Sequence, residues 1–262
     1  MQKVFETLTT EFRKQGGVLC EESYRKIVTK YTTLFEESDT IFILLQASGY
    51  PIVYENGIYK LETCFTSYTE QKYCVIDIET NGAKPGTSQV IEIGAVMLQN
   101  GEIIDRYETF VECAFLPEYI TKITGIEPED LIDAPTRKEA LIGLRHFMQN
   151  AIFVAHNADF DYSFLDASFE RFGIGNMGNL KLCTIDLARR TFESERYGLA
   201  YLIESLGIET ATHHRAFSDA ICAAQVMQKS FETLPAYIST TDDLLQFSTS
   251  SQKERRIKKE ES

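Results

Sequence analysis

The 262-residue chain lacks three things that would narrow its class at once. No two of its six cysteines (Cys20, Cys64, Cys74, Cys113, Cys183 and Cys222) are close enough to form a CxxC knuckle. That argues against a structural zinc or a disulfide framework and for reduced, mostly buried thiols. No apolar run approaches bilayer length: the densest, Ile41-Phe42-Ile43-Leu44-Leu45, stops at Gln46. The opening MQKVFETLTTEFRKQGG has no apolar stretch of signal-peptide length, so the expectation is a cytoplasmic protein with no membrane association. Basic surplus is missing too. The net charge of −13 disfavours a protein that holds nucleic acid by a broad cationic surface.

What is present is a soluble, core-forming composition, 44% hydrophobic and 25% charged. The charge is unevenly spread. Residues 1–68 carry 7 Lys/Arg against 9 Asp/Glu, residues 69–235 carry 14 against 25, and residues 236–262 carry 5 of each. An acidic segment still acts on phosphodiesters if divalent cations bridge its carboxylates to phosphate. Weak unaided affinity then follows, and with it a partner that delivers the substrate.

The patterning divides the chain in three. Residues 1–68 read as a small helical domain ending in a β-hairpin, winged-helix-like. Its helical patterns run through Val4-Phe5-Leu8-Phe12, Tyr24-Ile27-Val28-Tyr31 and Ile41–Ala47. The Asn56-Gly57 pair between apolar, aromatic arms marks the hairpin. Lacking basic excess, this unit is read as a docking or packing module before a duplex binder. Residues 69–235 begin with strands (Tyr73–Ile78, then Val90–Leu98 and Ile103–Val111 around a second Asn-Gly turn). They continue with helices at 117–124, 136–150, 159–172, 199–206 and 216–231, and strands at Ile152–Ala155 and Leu180–Thr184. Meandering strands followed by alternating strands and helices predict an α/β domain with a mixed five-stranded sheet. Residues 236–262 are expected to be a flexible tail. Within it, Asp243-Leu244-Leu245-Gln246-Phe247 is read first as a half-turn packing on the domain and second as a linear motif for a partner.

Three stretches carry chemistry. Asp77 and Glu79 stand two apart at the end of a buried strand, so both point to one face. Two adjacent carboxylates repel each other unless a cation lies between them. In Ala155-His156-Asn157-Ala158-Asp159-Phe160-Asp161 a strand runs into a helix, with Asn157 as a plausible N-cap and Asp161 in the first turns. If that strand is parallel to the Asp77 strand, their carboxyl ends share a crevice, where open α/β sheets place their sites. Third, His213-His214-Arg215-Ala216-Phe217-Ser218-Asp219 opens the last strong helix. His214 and Asp219 lie about 140° apart on a continuous helix, so they cooperate better with His214 on the preceding loop. Oxygen donors alone select Mg²⁺ or Mn²⁺ over zinc. Four acids suit two such ions roughly 3.5–4 Å apart. A histidine, with an ordinary pKa of about 6.5, is a natural base for water. Other acids and histidines get plainer readings: Glu92 as structural first and as a support behind the site acids second, His156 as orienting its turn, Asp186 as a helix-start acid, His146 as a surface or boundary residue and His213 as exposed beside His214.

These motifs, Asp77-Ile78-Glu79-Thr80, HNADFD at 156–161 and HRAFSD at 214–219, resemble in order and spacing the exonuclease motifs of the DEDD superfamily, histidine subtype. Within that family the chain resembles the epsilon proofreading subunits of bacterial DNA polymerase III. The resemblance covers about residues 73–230. It implies a ribonuclease H-like fold, two Mg²⁺ or Mn²⁺ ions and 3′→5′ hydrolysis releasing 5′-mononucleotides. It further implies Asp77, Glu79, Asp161 and Asp219 as metal ligands, His214 as general base, and Thr80, Asn81, His156 and Asn157 as contacts to the terminal nucleotide. Asn81 stands where many members have a second threonine. The expected substrate is a single-stranded or frayed DNA 3′ end. The expected partner is a replicative polymerase, with a further protein partner through residues 1–66 or the tail. Two alternatives stay open: the same chemistry acting on RNA or in repair, and a non-catalytic binding protein with a retired nuclease domain.

Overall fold

The computed structural model describes residues 1–31, 38–209 and 215–250. The first unit contains α1 (Gln2–Lys14), β1 (Val18–Cys20), α2 (Glu21–Val28), α3 (Ser38–Ala47), β2 (Ile52–Glu55) and β3 (Ile58–Leu61). The hairpin falls where the Asn-Gly pair predicts it. Asn56 and Gly57 both take positive φ (53° and 82°), as a two-residue turn with right-handed strand twist requires. The short strand β1, not anticipated from sequence, adds to β3 and makes the sheet three-stranded. Leu8, Phe12, Leu19, Tyr24, Leu45, Ile52 and Leu61 fill the core of this unit.

The second region is built on β4 (Tyr73–Thr80), β5 (Val90–Gln99), β6 (Glu102–Phe110), β7 (Ile152–Ala155) and β8 (Lys181–Cys183), in the order β6-β5-β4-β7-β8. The first three are antiparallel neighbours, while β7 lies parallel to both β4 and β8. β4 is central and covered on both faces, which explains its nearly unbroken apolar run. On one face Cys74, Ile76, Ile78, Phe153 and Ala155 pack with α5 (Arg137–Met148) and α6 (Ala158–Arg171). On the other, Tyr73, Val75, Val96, Leu98 and Val154 meet α9 (Ala216–Phe231), whose Ala223 and Ala224 let the helix lie close. Burying one large apolar side chain in such a layer contributes roughly 1.5–3 kcal/mol. The remaining helices are α4 (Glu118–Thr124), α7 (Thr184–Thr191), α8 (Leu199–Leu206) and α10 (Thr241–Thr249). The layered α/β architecture expected from the strand and helix pattern is the one formed.

The tail expectation needs correction. Residues 241–249 form α10, a full helix with a capping box between Thr240 and Asp243. Leu244, Leu245 and Phe247 insert into the sheet-facing core, so the cluster at 243–247 packs within the fold. The packing read first for this cluster is the one formed, extended from a half-turn to a full helix; what the expectation of a flexible tail missed is the length of that helix. Residues 251–262 lie outside the described residues. Helix α10 also ties the two regions together. Asp242, only 4% exposed, receives Arg13 Nε at 2.9 Å and Nη2 at 2.7 Å. The Ser48 carbonyl accepts from Arg145 Nη1 at 2.9 Å and from the Gly178 amide at 2.7 Å. Among the described residues no helix is long and apolar enough to cross a membrane.

Candidate active site

The carboxyl end of β4 delivers Asp77 and Glu79 to the face that α9 covers, because they continue the odd-numbered side begun by Tyr73 and Val75. Helix α9 supplies Asp219 from its first turn. Ligand oxygens of Asp77, Glu79 and Asp219 all lie within 4.8 Å of one another. Asp161 enters from α6, which starts directly after β7, the parallel neighbour of β4. It is 3% exposed and close enough to raise the pKa of Asp77 by its charge. Asp77, Glu79 and Asp219 therefore converge on one sheet edge, and Asp161, outside that 4.8 Å group, comes from a third segment near enough for its charge to act on Asp77 and Glu79.

Electrostatically the cluster is frustrated. Burial, then the charges of Asp161, Glu79, Asp219 and Glu92, hold the Asp77 carboxyl well above the usual carboxylate range. Glu79 is pushed up to about 8 by burial first and then by Glu92, Asp219 and Asp161, against the opposing effect of Arg215. Burial lifts Asp161 to about 7, although backbone hydrogen bonds at Asp161 and Ile78 work the other way. Among the described residues no Lys or Arg forms an ion pair with Asp77, Glu79 or Asp161. Carboxylates facing one another, Asp161 buried and Asp77, Glu79 and Asp219 half-buried, with oxygen donors only, fit a hard divalent cation.

The residues around the acids are mostly tied into the fold. His156 bonds the Tyr197 carbonyl through Nε2 at 2.9 Å and Thr184 Oγ1 through Nδ1 at 2.8 Å. A carbonyl only accepts, so the ring proton sits on Nε2 and the hydroxyl donates to Nδ1. Burial lowers its pKa to about 4, and the ring is neutral. Asn81 is equally engaged: Oδ1 accepts from the Gln89 amide at 2.8 Å, and Nδ2 donates to the Phe115 carbonyl at 3.2 Å. Thr80 donates to the Gly82 carbonyl at 2.9 Å. Asn157 occupies the N-cap position of α6 in the left-handed region (φ 75°), which Asn tolerates, but its side chain makes no capping hydrogen bond. His213 and His214 lie outside the described residues; α9 begins two residues after His214, at Ala216.

Glu92, read from the sequence as structural, is held by the fold. It is 1% exposed, lies directly opposite Glu79 in the β4–β5 register, and pairs with Arg215 at 2.8 Å. An acid at an inward position of a buried strand, two residues before a glycine, was the available signal.

A ribonuclease H-like sheet with four acids at the carboxyl end of its central strands defines the DEDD class of 3′→5′ exonucleases. Residues 74–227 match the RNase_T family of exonucleases, and the chain belongs to that family. Its relatives include the PolC-type DNA polymerase III of Staphylococcus saprophyticus, 36% identical over 196 residues, or 74% of this chain and 13% of the polymerase. That of Staphylococcus aureus is also 36% identical, over 194 residues, again 13% of its length. The chain thus spans only a small part of these relatives. In fold it is similar to E. coli exonuclease I in a zinc-bound complex with single-stranded DNA, with a TM-score of 0.56 and 19% identity over 63% of this chain and 41% of the other. A second exonuclease I structure gives a TM-score of 0.57 and 18% identity over 68% and 43%.

Proposed function

We propose that this chain is a divalent-metal-dependent 3′→5′ exonuclease that removes nucleotides from DNA ends, working as the proofreading partner of a replicative polymerase. The observation that carries the reading is the convergence of Asp77, Glu79 and Asp219 within 4.8 Å, with Asp161 beside them, on charges that repel one another. Asp77, Glu79, Asp161 and Asp219 are the residues that would hold the cations. Bound there, Mg²⁺ or Mn²⁺ would supply neutralisation of the phosphodiester and activation of water. His214 takes the proton of the attacking water, and hydrolysis leaves a 5′-mononucleotide and a shortened 3′-hydroxyl end. The neutral, doubly bonded His156 and the engaged Asn81 hold their turns in place, while Thr80 and Asn157 line the approach of the terminal nucleotide.

The acidic surface and the PolC-type relatives support a polymerase that hands over the frayed end. The test is release of single nucleotides from end-labelled primers carrying a 3′ mismatch, with Mg²⁺, with Mn²⁺ and with EDTA. Metal-dependent 5′-mononucleotide release is expected. Silence under every divalent metal would overturn the nuclease reading. A matched RNA primer run in parallel distinguishes DNA from RNA as substrate.

A further inference from the structure

Resting on that reading, we infer that Glu92 and Arg215, with Gly94, form a seat that positions Asp219 in the acid cluster. The seat starts from register. Across the β4–β5 ladder Asp77 faces Gly94 and Glu79 faces Glu92, so the two β5 residues lie beside the two acids on the face under α9. Glu92 Oε1 accepts from Arg215 Nε at 3.0 Å and Nη2 at 2.8 Å, while Oε2 accepts the amide of Ala216 at 3.2 Å. That amide belongs to the first residue of α9 and has no partner within the helix. The Arg215 carbonyl in turn accepts the Asp219 amide at 3.0 Å, closing the first helical turn. One buried carboxylate is thereby linked, through one arginine and one turn, to a candidate metal ligand.

Gly94 supplies the room. A Cβ there would lie 2.1 Å from the Phe217 amide nitrogen and 2.2 Å from the Ala216 carbonyl carbon. Only a glycine allows the start of α9 to rest this low on the sheet. The Arg215 guanidinium also lies over the Phe110 ring, 5.1 Å from its centroid, which limits where its fork points. Glu92 touches no substrate in this arrangement; it acts through Arg215 and the helix start.

The test measures Mn²⁺ binding to the full chain by titration calorimetry, together with kcat and KM on a single-stranded oligonucleotide. The variants are Glu92→Gln, Arg215→Gln, the double variant and Arg215→Lys. Each single Gln variant should weaken Mn²⁺ binding and lower kcat by about 10–100-fold, with KM for the oligonucleotide nearly unchanged. The double variant should be little worse than either single, because both remove the same link. Arg215→Lys keeps the charge opposite Glu92 and the fold but loses the two-pronged contact, and should fall between. Wild-type Mn²⁺ binding in Glu92→Gln or Arg215→Lys overturns the seat, as do single effects that multiply in the double variant. If the wild-type chain itself binds no Mn²⁺ and cleaves nothing, the nuclease reading has failed instead.

Discussion

Two sets of buried or half-buried carboxylates in this molecule are treated in opposite ways. At the junction between the small N-terminal unit and α10, Asp242 is met by a bidentate arginine. Glu92 is satisfied in the same manner by Arg215 and a helix amide. At the end of β4, by contrast, Asp77, Glu79 and Asp161 face each other, and their pKa values rise. Elsewhere the fold is able to neutralise its buried acids and does so. The unneutralised set marks the place where an external cation is expected, and it teaches more than the net charge does.

The sharpest way to break this comparison is to delete an acid and read activity. Asp77→Ala should abolish metal-dependent nucleotide release, and His214→Ala should lower it by about 10²–10⁴-fold, measured on an end-labelled primer. Unchanged rates in both would make the cluster a structural oddity. Next in size is the junction. Arg13→Ala removes the charge opposite Asp242 and leaves the buried carboxylate with the Gln246 side-chain amide, at 2.7 Å, as its remaining side-chain donor. Loss of a fully buried pair costs about 3–5 kcal/mol. With Arg13 a third exposed, a smaller loss of about 1–3 kcal/mol is expected in chemical denaturation, with nuclease rates preserved in the folded protein.

The same contrast shows what a sequence discloses. Asp77, Glu79, Asp161 and Asp219 were legible because each sits at the end or start of an element whose apolar pattern fixes its direction. Both Asn-Gly turns were legible because two consecutive positive φ values demand those residues. Less visible were features made by pairing across distance: β1, which exists only by joining β3, and α10, which is stabilised by burying Leu244, Leu245 and Phe247. The Glu92–Arg215 link spans 123 positions, and no local pattern announces it. The substrate-contact expectations for His156 and Asn81 passed over the hydrogen bonds their side chains make at home.

The sign of a stability change separates the two carboxylate sets more finely. Asp161→Asn keeps an oxygen that accepts the backbone hydrogen bonds at this position while removing a charge raised by burial. In EDTA this variant should melt above wild type, by roughly 2–4 °C for each kcal/mol gained, and should be inactive. A lower melting temperature would mean that the carboxylate is held by interactions stronger than its desolvation.

The smallest and most general effect is the pH dependence of the metal-free protein. Glu79 at about 8 and Asp161 at about 7 lie well above the unfolded values for such groups, which are roughly 4. The folded state therefore binds more protons than the unfolded state over this interval. Stability contributed by these acids is fully present below about pH 4 and is lost as pH rises through about 7–8. Melting temperature in EDTA should thus decline from pH 5 to pH 8, and the decline should be shallower in Asp161→Asn. Mn²⁺ competes with the protons for the same oxygens, so its stabilising increment should grow over the same interval. A melting temperature that stays flat or climbs between pH 5 and 8 without metal would show that the acid cluster is relieved by the protein itself, and the contrast with Asp242 would disappear.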